Sequence, residues 1–154
     1  MTGESGGAPS GRGPDEDLLE EARSAMEAAY APYSGYRVGA VLETPDGRRF
    51  SGCNVENASF PVTMCAERVA LGAAVRAGAR EFTRLALCVS GSRPASPCGM
   101  CRQALAEFGD DMEVLSVAMG GDPDEDEGKR VTWTLDELLP ARFGGGDLTA
   151  GTET

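Results

Sequence analysis

Apolar residues recur at helical intervals from Asp15 onward: Leu18, Leu19, Ala22, Met26 and Ala29 share one face, behind Pro14 and a first turn of acids. This predicts an amphipathic helix that ends before Pro32. Two stretches rich in apolar and β-branched residues, Arg37 to Thr44 and Arg48 to Val55, flank Pro45-Asp46-Gly47. Proline presets φ and glycine tolerates positive φ, so the pattern predicts a β-hairpin. From Cys65 to Ala77 a run of Ala, Val and Leu, with Glu67 in its first turn and Gly78 as its stop, predicts a buried helix. Leu85 to Val89 is a short apolar strand, and Cys98 to Phe108, between Pro97 and Gly109, a further helix. Glu113 to Ala118 and Arg130 to Trp133 read as strands, after which Thr134 caps a short helix ended by Pro140. The order α, β, β, α, β, α, β, β alternates in its middle, which argues for one sheet with helices on both faces.

The ends and the charge narrow the picture. Residues 1–14 are mostly Gly, Ser, Pro and Thr and carry too little apolar surface to offset the entropy of ordering, so they are expected to form a disordered arm. The remainder divides into one domain over 15–148 and a flexible tail over 149–154. Fourteen Lys and Arg against 25 Asp and Glu give a net charge of −11, which repels a phosphate backbone and argues against nucleic acid as a partner. No basic segment leads into an apolar run of signal length, and no stretch approaches the ~20 apolar residues of a membrane span, so no membrane partner and a cytoplasmic location are expected. Five cysteines in a reducing compartment suggest metal or catalysis before disulfides. With no histidine in the chain, a transition-metal site has only thiolates and carboxylates to draw on.

Three features meet that demand: Cys65-Ala66-Glu67 opening one helix, Pro97-Cys98-Gly99-Met100-Cys101 opening the next, and a strand between them. Cys98 and Cys101, three apart, face one way on a helix and can bind one ion. If the two helices follow adjacent parallel strands, their N-termini converge at one sheet edge and Cys65 becomes a third ligand. Three thiolates on Zn²⁺ leave one net negative charge, which two helix N-termini and Arg68 can offset. Zinc with three protein ligands keeps a fourth position for water and lowers its pKa from about 15.7 toward about 7. Glu67, two residues from a ligand, can then take the water proton, deliver it to a ring nitrogen and later protonate a departing amine.

Each element also has a plainer reading. A lone Cys-x-x-Cys pair serves as a structural zinc clip or a redox dithiol as well, but a structural site wants four protein ligands. Cys53 and Cys88, the remaining thiols, fall in predicted strands, where a small buried hydrophobe is the commoner role. Glu67 also suits a helix first turn on electrostatic grounds alone.

Cys65-Ala66-Glu67-Arg68 with Pro97-Cys98-Gly99-Met100-Cys101-Arg102-Gln103 resembles the homotetrameric cytidine deaminase family, in the three-cysteine form of the zinc deaminase signature. The resemblance runs from about Ala29 to Leu148. It includes Pro32-Tyr33-Ser34, Val38-Gly39-Ala40, the segment from Gly52 to Ala58, Glu137-Leu138-Leu139-Pro140, Phe143-Gly144 and Asp147-Leu148. It implies a three-layer α-β-α fold with a mixed five-stranded sheet, a Zn²⁺ cofactor on Cys65, Cys98 and Cys101, and catalysis by Glu67. Asn54 and Glu56 would bond the ribose hydroxyls, Tyr36 would stack on the pyrimidine, and the Ala66 N–H would hold its 2-oxo group. A homotetramer would share its pockets between subunits, with contributions near Ala58 and from Phe143. Without the resemblance, Asn54 and Glu56 read as polar strand-end residues, and Tyr36 and Phe143 as core or interface aromatics. Two departures stand out: Phe60, where many relatives carry Tyr, and a longer acidic insert at residues 120–128. The implied reaction is deamination of cytidine and 2′-deoxycytidine. The alternatives are a deaminase of a modified cytosine nucleoside such as blasticidin S, and a zinc-stabilised oligomer without turnover.

Overall fold

The structure, a computed structural model, describes residues 13–121 and 130–149. Most of the expected N-terminal arm, nearly all of the acidic insert and the last residues of the tail lie outside them. Helix α1 (Pro14–Glu27) is capped by Gly13, has Pro14 in its first turn and carries Asp15, Glu16 and Asp17 there. Pro14 therefore belongs to the helix and not to the arm, because its fixed φ suits a helix start, where no N–H acceptor is needed.

The hairpin forms from β1 (Val38–Glu43) and β2 (Arg49–Cys53), paired antiparallel from Gly39↔Cys53 to Glu43↔Arg49. Its turn places Gly47 at φ 84°. Helix α2 (Ala66–Arg76) ends before Gly78, at φ 89°. Strand β3 (Arg84–Val89), helix α3 (Gly99–Ala106), strand β4 (Glu113–Ala118) and strand β5 (Arg130–Thr134) follow. Helix α4 (Leu135–Leu138) begins with a capping box in which the Thr134 side chain accepts from the Glu137 N–H and the Glu137 side chain accepts from the Thr134 N–H. A final short helix, α5 (Gly145–Thr149), has no counterpart in the hydrophobic pattern, since none of its residues is buried.

The five strands make one sheet in the order β2-β1-β3-β4-β5, with β3 and β4 parallel and the other neighbours antiparallel. Alternation along the strands sends two sets of side chains to opposite faces. Val41, Ala86, Cys88 and Leu115 pack with Leu18, Leu19, Ala22 and Met26 of α1. Ala40, Leu42, Leu85, Leu87 and Val114 pack with Ala66, Ala70, Leu71 and Ala74 of α2 and Leu105 of α3. The result is the three-layer α-β-α arrangement with a mixed five-stranded sheet. Each fully buried leucine contributes about 1.5–3 kcal/mol.

Two glycines let the helices touch the sheet. A Cβ on Gly39 would lie 1.9 Å from the Ala22 carbonyl oxygen of α1. One on Gly52 would lie 2.4 Å from the Ala70 nitrogen and 2.6 Å from the Ala66 oxygen of α2. No helix among the described residues is long and apolar enough to cross a membrane.

Candidate active site

Both cysteine motifs sit at helix starts. Cys65 is the N-cap of α2 and Cys98 the N-cap of α3, each in extended backbone, while Cys101 lies inside α3. Cys98 thus precedes the helix on which the sequence places it, yet one turn still brings its side chain to the side of Cys101. The three Sγ atoms all lie within 4.8 Å of one another, and those of Cys65 and Cys98 are 3.7 Å apart. Tetrahedral zinc with Zn–S bonds of about 2.3 Å spaces its sulfurs about 3.8 Å apart, so the donor set fits that ion.

The route to this convergence differs from the expectation of adjacent parallel strands. The helices follow β2 and β3, which run in the same direction but have β1 between them, antiparallel to both. Contact is restored because α2 packs across β1 as well as β2, which carries Cys65 toward Cys98.

Electrostatics mark the same spot. Glu67 is 5% exposed, and its carboxyl is pushed up to about 7 by burial, with the Cys65 charge adding to the effect. The Cys65 thiol is held down to about 5 by hydrogen bonds, foremost from Cys101 and then from Arg68 and Cys98, while the same contact and burial push the Cys101 thiol up. Contact with Cys101 thus favours the charged form on the Cys65 sulfur. Arg68 Nη2 stands 3.9 Å from Cys65 Sγ and donates to the Thr63 carbonyl at 3.2 Å, and Arg68 Nε is buried with no acceptor. A guanidinium so placed offsets the negative charge that three thiolates bring.

A cavity of about 250 Å³ opens beside these groups, and Cys65, Ala66, Glu67 and Cys98 line it together with Tyr36, Asn54 and Glu56. Ala66 is the first residue of α2, where backbone N–H groups have no acceptor within the helix. Asn54 is 8% exposed and already clamps the chain: its Oδ1 accepts from the Val38 N–H at 2.9 Å, and its Nδ2 donates to the Tyr36 carbonyl at 2.8 Å. Burial, and then the charge of Glu67, raise the pKa of the Tyr36 phenol.

Ala58 and Phe143 do not line this cavity. Both are exposed, and the Phe143 carbonyl accepts from Gln103 Nε2 at 3.0 Å. Phe60 is also exposed and meets Tyr33 edge to face, with centroids 6.1 Å apart. Two bracing residues carried no separate role in the sequence reading. Arg102 donates to the Pro97 carbonyl at 2.7 Å, to Ser96 Oγ at 2.7 Å and to the Leu138 carbonyl at 2.8 Å, tying the loop before Cys98 to α4. Ser34, also on the cavity wall, holds Glu56. Both lie inside the quoted motifs, but Leu138 and Glu56, which they reach, are far away in the chain.

A mixed sheet that gathers three thiols and a buried carboxylate at two helix starts defines an α/β protein with a transition-metal site. The profile of the cytidine and deoxycytidylate deaminase zinc-binding region matches residues 12–117, and the chain belongs to that family. It is 42% identical over 139 residues to a cytidine deaminase of Sporosarcina psychrophila, covering 90% of this chain and 97% of that one. It is 32% identical over 137 residues to a blasticidin-S deaminase of Bacillus cereus, covering 84% and 91%. The crystal structure of a cytidine deaminase from Burkholderia pseudomallei superposes with a TM-score of 0.74 at 44% identity, covering 83% of this chain and 98% of that one.

Proposed function

We propose that the chain catalyses the zinc-dependent hydrolytic deamination of cytidine and 2′-deoxycytidine, releasing ammonia and yielding uridine and 2′-deoxyuridine, as a step of pyrimidine salvage in the cytoplasm. The observation that carries this reading is the buried Glu67 on the wall of a cavity that Cys65 and Cys98 also line, with the Cys101 sulfur clustered against theirs. Cys65, Cys98 and Cys101 would hold the ion, and zinc there supplies Lewis-acid activation of water at its open position.

Glu67 moves the protons. Its carboxylate takes one from the attacking water and delivers it to N3 of the cytosine, while the water oxygen forms the new bond to C4. The regenerated carboxylate next takes the second proton, from the hydroxyl now on C4, and passes it to the exocyclic amine; the C4–N bond breaks with its electron pair going to nitrogen, the C4 carbonyl forms, and ammonia leaves. Burial suits this duty, because a carboxyl that titrates near neutral pH both accepts and gives up a proton. Asn54 and Glu56 take the sugar hydroxyls. The unused lone pair on Asn54 Oδ1 and its second N–H are available after the clamp to Val38 and Tyr36 is made. Tyr36 offers its ring to the base, the Ala66 N–H bonds the 2-oxo group, and Arg68 offsets the thiolate charge.

Homotetramerisation belongs to the same proposal, with Ala58 and Phe143 of neighbouring subunits completing each pocket. Phe60 at 70%, Met100 at 63% and Phe143 at 60% exposure supply apolar surface for such contacts. The acidic chain and its small cavity favour a free nucleoside over a nucleic-acid strand.

The test is the loss of cytidine absorbance on adding zinc-loaded protein, with Glu67→Gln as the paired variant. We expect turnover of both nucleosides, cut by a factor of about 10² or more in the variant while zinc stays bound. Zinc-loaded protein that leaves both nucleosides unchanged would overturn the reading. Competition by blasticidin S at lower concentration than cytidine would redirect it to modified nucleosides.

A further inference from the structure

Glu56 is held by a strap that also carries the ring-stacking residue. Its Oε2 accepts from the backbone N–H of Tyr33 at 2.8 Å and of Ser34 at 3.2 Å, and its Oε1 accepts from the Ser34 hydroxyl. The same hydroxyl oxygen accepts from the backbone N–H of Tyr36 at 3.0 Å. The carbonyl of Tyr36 is fixed separately by Asn54 Nδ2. A serine hydroxyl offers one donor and two acceptor lone pairs, so Ser34 can make both bonds at once. With two donors on Oε2 and one on Oε1, the carboxylate keeps acceptor capacity on Oε1 for a ligand hydroxyl.

We propose that Ser34 is the positioning residue for sugar recognition: its hydroxyl joins the Glu56 carboxylate to the backbone of Tyr36, so that sugar acceptor and base-stacking face are set as one unit. This rests on the sugar-contact role proposed above for Glu56. Ser34 touches neither the thiols nor Glu67 in the hydrogen-bond network, so its effect falls on substrate binding and not on proton transfer. Glu56 titrates below the ordinary carboxylate value, with the Ser34 hydroxyl as the largest cause and the Tyr33 and Ser34 amides contributing.

The experiment compares cytidine with 3′-deoxycytidine in the zinc-loaded unaltered chain, Ser34→Ala and Ser34→Thr. In parallel, the Glu56 carboxyl is titrated by carbon-13 NMR in all three. We expect Ser34→Ala to raise KM for cytidine roughly tenfold, the scale of one charge-assisted hydrogen bond, with kcat little changed. The variant should discriminate less between the two nucleosides, and its Glu56 should titrate higher. Ser34→Thr, which keeps the hydroxyl, should restore all three properties. Unaltered discrimination or unaltered Glu56 titration in Ser34→Ala overturns the proposal and leaves the deaminase reading standing. Equal use of the two nucleosides by the unaltered chain overturns the sugar-contact role of Glu56 and this proposal with it.

Discussion

Gly52 of β2 and Ala66 of α2 approach so closely that a Cβ on the glycine would sit 2.6 Å from the alanine carbonyl oxygen. The obstacle is backbone, which cannot swing aside as a flexible side chain can. Gly52→Ala therefore forces α2 away from the sheet, and with it Cys65 at the N-cap and Glu67 in the first turn. We expect a loss of about 3 kcal/mol or more in urea unfolding, accompanied by reduced zinc content after purification.

Arg102 spans three acceptors that a lysine cannot satisfy together, because a single ammonium lacks the planar fork of a guanidinium. Arg102→Lys should loosen the loop before Cys98 and weaken zinc retention about 10- to 100-fold, the usual scale for groups that orient metal ligands. Competition with a chromophoric chelator measures this directly. Unchanged retention would reduce Arg102 to a tether for α4.

Removing zinc should expose one reactive thiol. Cys65, held down to about 5, is a thiolate at neutral pH, whereas Cys88, pushed up to about 11 by burial, stays protonated. Iodoacetamide added to chelator-treated protein near pH 7 should label Cys65 first and spare Cys88, as read by peptide mass mapping. Zinc should protect Cys65.

Asp15 ties α1 to the sheet through Arg84 of β3 and Arg130 of β5. Burial opposes its ionisation, but the hydrogen bonds from Arg84 and Arg130 outweigh burial and hold the carboxyl below its usual value of 3.8. A depressed folded value stabilises the fold above 3.8, and that stabilisation is lost as pH falls through the lower folded value. The carboxylate side chain is 42% exposed, so the pairs are screened. Asp15→Asn should cost less than about 1 kcal/mol at neutral pH. The gap in urea midpoint between the two proteins should narrow as pH drops toward and below 4, a range set by the same carboxyl titration.

The elements legible in the sequence are those whose signals are local. Pro14, the acids after it and the Leu18, Leu19, Ala22, Met26 stripe specify α1 in one stretch of chain. Pro45-Asp46-Gly47 specifies the hairpin, and Thr134 with Glu137 specifies the start of α4. The convergence of Cys65 on Cys98 was legible as a pattern but not as a path, since β1 stands between the strands that precede the two helices. Nothing local announces the 3-10 turn at Phe60–Val62, nor the isolated bridges that join Val55 to Tyr30 and to Met64. The bridges rest on pairings across many residues. The clamp by Asn54 on Val38 and Tyr36 is of the same kind, because an amide that faces a distant backbone looks in sequence like any polar residue at a strand end.

Helix α3 carries Cys101, Arg102 and Gln103 in succession: a thiol of the metal site, the brace on the Cys98 loop and α4, and the bond to the Phe143 carbonyl. Successive residues on an α-helix differ by about 100° in direction, so these three tasks are held at fixed angles to one another around one axis. A single residue inserted after Cys98 would turn all three out of alignment together, while the same insertion beyond Gln103 would leave them in place. The spacing inside this short helix thus acts as a key whose teeth cannot be cut separately.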